Sequence, residues 1–124
     1  MASPKTVLVI DDDAYILRVI ELKLRKHGYG VITASNGEDG LNLIESSKPD
    51  VVITDLNMPR MDGETLCRAT EPLRKERGFL TIVLTARVNP DDRRWLGQME
   101  NTKFVEKPFS PSGLLAYLNA YFDG

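Results

Sequence analysis

The chain has a single cysteine, Cys67, which excludes an internal disulfide and any thiolate metal cage. It has no excess of either charge: 16 Lys and Arg stand against 18 Asp and Glu, interspersed, for a net charge of −2. That balance leaves no electrostatic footprint for nucleic acid and none for an anionic membrane surface. No apolar run approaches the roughly 20 residues that span a bilayer. The opening Met1-Ala2-Ser3-Pro4-Lys5 lacks the apolar core of a signal peptide. No Gly-rich loop follows the first apolar run, which argues against a nucleotide-binding oxidoreductase. Repeats, linkers and low-complexity segments are also missing. At 124 residues the chain reads as one soluble, cytoplasmic domain spanning 1–124, with a core over about 6–122 and enough length to bury it without staples.

What is present is organised around Val51-Val52-Ile53-Thr54-Asp55-Leu56-Asn57-Met58-Pro59. The apolar run has no polar face and predicts a strand buried on both sides, which Pro59 prevents from continuing. Four further strands are expected, at Thr6–Ile10, Val31–Ala34, Phe79–Thr85 and Lys103–Glu106. Between and after them run helical periodicities. Ala14 to His27 carries Ile16, Leu17, Ile20 and Leu24, and ends at His27-Gly28 with a potential cation for the helix dipole and a Gly stop. Ser35 with Glu38 resembles a capping box for a second helix. Asp62-Gly63 turns into a third helix with Leu66, Ala69 and Leu73 on one face, which Pro72 is expected to kink or end early. Asn89-Pro90-Asp91-Asp92 opens a fourth, with Trp95, Leu96 and Met99 inward. Ser110-Pro111 caps a fifth, whose stripe is Leu114, Leu115, Leu118 and Phe122. Five βα units imply an α/β fold, a doubly wound five-stranded parallel sheet with helices on both faces. Arg74, Lys75 and Arg77 read as solvated, as do Arg93 and Arg94, and Cys67 as an inert helix residue.

Strand ends of such a sheet gather at one edge, where ligands bind. There the order of elements collects Asp11 and Asp12, Asp55, Thr85 and Lys107. Three crowded carboxylates repel one another unless a cation lies among them, and an all-oxygen set suits a hard ion such as Mg²⁺, with Mn²⁺ as a substitute. Lysine adds a compact positive charge and threonine a hydroxyl donor. The set suits receipt of a phosphoryl group by Asp55 as nucleophile.

The pieces VLVIDDD, ITDLNMPRMDG, IVLTA and FVEKPF, in this order and spacing, resemble the receiver domain of two-component response regulators. The resemblance runs from about residue 6 to about residue 122 and implies the CheY-like, flavodoxin-like fold. It implies that Asp55 accepts phosphate from a sensor histidine kinase or a histidine phosphotransfer protein, in a reaction that needs Mg²⁺. Asp11 and Asp12 match the acidic pair that positions the metal, with Asp55 and the Asn57 backbone carbonyl as further ligands; Asp13 begins the helix. Thr85 matches the switch hydroxyl, Lys107 the phosphate counter-ion and Phe104 the switch aromatic, although a plain core role for Phe104 is an equal reading. Asn57 and Arg87 flank the phosphate and tune its lifetime. The face of helix four, strand five and helix five would then change shape to control a downstream protein partner or output domain.

On this reading the chain is a signalling switch that catalyses only its own phosphorylation and dephosphorylation, and is not a metabolic enzyme. It is a monomer or a phosphorylation-dependent dimer, and either a stand-alone receiver or a domain of a longer regulator. The alternative is a receiver-like binding module that signals without phosphate. A phosphatase with an aspartyl nucleophile needs a second acid two residues on, and that position is Asn57. Three departures from the family pattern bear on shape: Arg60 stands where Gly is frequent, Pro72 lies inside the third helix, and Glu100-Asn101-Thr102 replaces a Gly-Ala turn.

Overall fold

Alternate residues of the strands face opposite ways, and the sequence supplies apolar side chains for both sides. The result is the expected architecture, in the order β1 (Thr6–Ile10), α1 (Ala14–Lys26), β2 (Gly30–Ala34), α2 (Gly37–Ser47), β3 (Val51–Asp55), α3 (Gly63–Arg77), β4 (Leu80–Thr85), α4 (Pro90–Gly97), β5 (Thr102–Glu106) and α5 (Pro111–Asp123). The structure, a computed structural model, describes residues 4–86, 89–107 and 109–123. All strands pair in parallel in the order β2-β1-β3-β4-β5, so β1 and β3 are neighbours at the point where the strand order reverses. Val7, Val9, Val51 and Ile53 pack with Ile20 and Leu24 of α1 and with Leu114, Leu115 and Leu118 of α5. On the opposite face Leu8, Ile10 and Val52 meet Ile44 of α2 and Leu66 of α3. A third cluster joins Leu56, Cys67 and Val83 to Trp95, Leu96 and Met99.

Local expectations fail in three places. The cap of α2 is Asn36, whose side chain accepts from the Asp39 amide at 2.8 Å, and not Ser35. The α3 helix passes through Pro72 and ends only at Arg77, with Gly78 left-handed at φ 77°. Pro72 is exposed, so the carbonyl it leaves without an amide partner can be met by water. The buried face of α3 is Leu66, Cys67, Thr70 and Arg74, whereas Ala69 is exposed.

Arg74 is not solvated. It is 1% exposed, and its guanidinium donates to the carbonyls of Glu100 (2.9 Å) and Cys67 (3.1 Å) and to Thr70 Oγ1 (3.3 Å). Among the described residues no carboxylate pairs with it, and burial lowers its proton affinity from the ordinary value. Arg77, although exposed, donates to the Ile44 carbonyl at 2.8 Å, tying α3 to α2. Cys67 is buried, and burial pushes its thiol up to about 12, which keeps it unreactive.

Candidate functional site

The carboxyl ends of β1 and β3 bring Asp11, Asp12 and Asp55 together, with one oxygen of each lying within 4.8 Å of the others. Asp11 is 1% exposed, Asp12 is exposed and Asp55 is half-buried. The register that aligns Ile10 with Thr54 sets Asp11 opposite Asp55. Lys107 follows β5, and its backbone amide donates to the Thr85 carbonyl at 2.7 Å. That bond aims the lysine inward: Nζ stands 3.5 Å from Asp11 Oδ2 and 3.6 Å from Asp55 Oδ1.

Hydrogen bonding divides the oxygens unequally. Asp55 Oδ1 accepts from the Leu56 amide at 2.8 Å, and Asp11 Oδ1 accepts from the Asp13 amide at 2.9 Å. Among the described residues Asp11 Oδ2, buried, has no hydrogen bond, only the more distant lysine. A buried carboxylate oxygen in that state carries an unreturned desolvation cost. Burial, with Asp55 nearby, raises the Asp11 carboxyl above its ordinary value, against the lowering effects of the Asp13 amide and Lys107. An under-coordinated buried oxygen in an all-oxygen donor set is the chemistry that a hard divalent cation satisfies. Asp13 does not join the cluster: it caps α1, accepting from the amides of Tyr15 and Ile16.

Thr85 ends β4, is buried, and shares a cleft of about 660 Å³ with Leu56, Asn57, Ala86 and Asn89. Phe104 pairs in register with Val83 and so lies on the same side of the sheet as Thr85. It is half-buried against the Leu56–Trp95–Met99 cluster, with the Arg93 guanidinium 5.4 Å from its ring centroid. Arg93, exposed as expected, also pairs with Glu106 at 3.6 Å. Arg87 lies outside the described residues.

Asn57 is exposed in the β3–α3 loop, residues 56–62. That loop closes where the Gly63 amide donates to the Leu56 carbonyl at 2.7 Å, and a Cβ at Gly63 would meet the Asp55 carbonyl. The loop's outer part rests on the start of α2. Arg60 Nη2 lies 3.3 Å from Glu38 Oε1 and 3.9 Å from Asp39 Oδ1, a link the sequence did not suggest beyond the unusual residue at 60.

The sequence profile of the family described as "Response regulator receiver domain" matches residues 7–119. A "Probable transcriptional regulator ycf27" of Guillardia theta is 39% identical over 120 residues, covering 97% of this chain and 46% of that protein. The "Alkaline phosphatase synthesis transcriptional regulatory protein PhoP" of Bacillus subtilis (strain 168) is 34% identical over 117 residues, covering 94% of this chain and 48% of that protein. The chain thus spans slightly under half the length of these curated relatives. Among solved structures, a CheY-like response regulator receiver domain protein from Methanospirillum hungatei JF-1 superposes with a TM-score of 0.90 at 27% identity, covering 98% of this chain and 95% of that one.

Proposed function

The chain belongs to the response regulator receiver family, a family of signalling rather than metabolic proteins, and on that premise we propose that Asp55 is its phosphoacceptor. The observation that carries this reading is the Lys107 ammonium shared between Asp11 Oδ2 and Asp55 Oδ1 at the switch point of the sheet. In the proposed step an Asp55 carboxylate oxygen bonds to phosphorus as the phosphorus–nitrogen bond of a donor phosphohistidine breaks, and the ring nitrogen leaves with the electron pair. Lys107 is positioned to neutralise charge on the arriving phosphoryl oxygens. Asp11, Asp12 and Asp55 would hold Mg²⁺, or Mn²⁺ in its place, with the Asn57 backbone carbonyl as a further ligand. Bound there, the ion supplies charge neutralisation at the phosphoryl group.

Thr85 would donate its hydroxyl to the phosphorylated product, and the same movement would let Phe104 bury more deeply, reshaping the α4–β5–α5 face. Asn57 and Arg87 would set how long the phosphoryl group survives. The donor is a sensor histidine kinase or histidine phosphotransfer protein. The reshaped face controls a partner or an output domain, in keeping with the transcriptional regulators among the relatives, and the chain acts in the cytoplasm as a monomer or a phosphorylation-dependent dimer. Among the described residues no helix is long and apolar enough to cross a membrane.

Intact mass spectrometry after incubation with acetyl phosphate and Mg²⁺ tests the reading. Gain of one phosphoryl group, lost in EDTA and lost in Asp55→Asn, is expected. No gain from this donor or from a phosphorylated histidine kinase would favour the phosphate-independent module instead.

A further inference from the structure

The β3–α3 loop is held in a conformation that its own residues disfavour. Arg60 has φ 64° and Met61 φ 155°, two consecutive non-glycine residues at positive φ. Such backbone persists only where the surroundings over-determine it, and it concentrates at functional sites. Here the surroundings are the first turn of α2. Gly37 admits the Met61 carbonyl so closely that a Cβ at residue 37 would collide with it. Beside that contact Arg60 reaches Glu38 and, at longer range, Asp39. The inner part of the loop is fixed separately, by the Gly63 amide on the Leu56 carbonyl and by Thr54 Oγ1 near Met58 Sδ at 3.8 Å. Asn57 lies within the inner set, between Leu56 and Met58, and three residues before Arg60.

We infer that Arg60 is a positioning residue for the acidic cluster: by tying the outer part of the β3–α3 loop to α2 it limits the freedom of the loop as a whole, Asn57 included, and strengthens divalent-cation binding by Asp11, Asp12 and Asp55. The inference rests on the metal reading proposed above. Its physical basis is that a loop ordered before binding spares the ordering entropy that a loose loop pays on binding. Both partners of the ion pair are more than half exposed, so the effect is modest and screened by salt.

Mg²⁺ titration by calorimetry of the full chain, with Arg60→Gly, Glu38→Gln and Arg60→Lys alongside, tests it. Arg60→Gly and Glu38→Gln are expected to weaken Mg²⁺ binding by about two- to fivefold at low salt, the range of an exposed ion pair. The loss should shrink at high salt, and Arg60→Lys should retain most of the parent affinity. Arg60→Gly should melt no lower than the parent, because glycine removes the positive-φ strain while the pair is lost. A merely structural role would move melting and leave Mg²⁺ affinity alone. Parent-like affinity in Arg60→Gly and Glu38→Gln overturns the inference while leaving the metal reading intact. Absence of Mg²⁺ binding by the parent overturns both.

Discussion

The two edges of the sheet each hold a carboxylate between β1 and β3, and they treat it differently. At the amino edge Asp50 Oδ2 accepts from the Thr6 amide at 2.8 Å, while the Asp50 amide and carbonyl bond to Thr6 and Leu80. The amino edge of the β4–β5 half is equally tied. Asn101, left-handed at φ 51°, donates from Nδ2 to the carbonyls of Gly78 and Phe79, and Arg74 holds Glu100. At the carboxyl edge Asp11 and Asp55 share one lysine. At both edges a carboxylate oxygen accepts from a backbone amide; the carboxyl edge differs in that Asp11 Oδ2, buried, has no such bond among the described residues, which is where the proposed cation would be held.

The contrast can be broken from either side. Arg74→Met keeps most of the volume but removes a guanidinium bond from each of the Cys67 and Glu100 carbonyls, which keep only the Thr70 and Thr102 hydroxyls as side-chain donors, and is expected to lower stability by about 1–3 kcal/mol in denaturant unfolding. Phosphoryl uptake by the surviving folded fraction should be unchanged; a loss of uptake would mean that the amino edge is not purely structural. Asp50→Ala removes one strand staple, with an expected cost of about 1–2 kcal/mol and the same indifference in phosphorylation.

The smallest effect has the opposite sign. Because burial raises the folded-state value of Asp11 above its ordinary one, folding favours its protonated form. Its stabilising share is present below the ordinary value and is lost as pH rises through the raised value. Asp11→Asn should therefore raise the melting temperature in EDTA at neutral pH, with the gain fading on acidification. A variant that melts lower than the parent at neutral pH would show that the Lys107 pair outweighs burial, and the contrast between the edges would fall.

The strands and the residues that follow them were legible because each signal is local: an apolar run, a period, a following acid or lysine. The readings that failed concern tertiary surroundings. Arg74 sits in a basic, acidic and proline-bearing stretch that looks like a solvated face, and the carbonyls that make its burial tolerable come from Cys67 in its own helix and from Glu100 in the α4–β5 turn. Asn36 and Ser35 are both competent caps, and the start of α2 one residue further along decides between them. Pro72 was expected to kink α3 or end it early, and the helix instead continues past its exposed ring to Arg77. The Arg60 link to α2 spans 22 positions and had no local signature.

Lys107 follows β5, the strand at the edge of the sheet and the last in the chain. Asp11 and Asp55 can be brought side by side by β1 and β3 before that strand docks, and until it does they face each other without its charge. Each opening of the edge strand therefore meets two penalties at once, the lost ladder with β4 and the restored repulsion between two carboxylates. The charge that Lys107 brings to the acidic cluster also fastens one of the sheet's two edge strands.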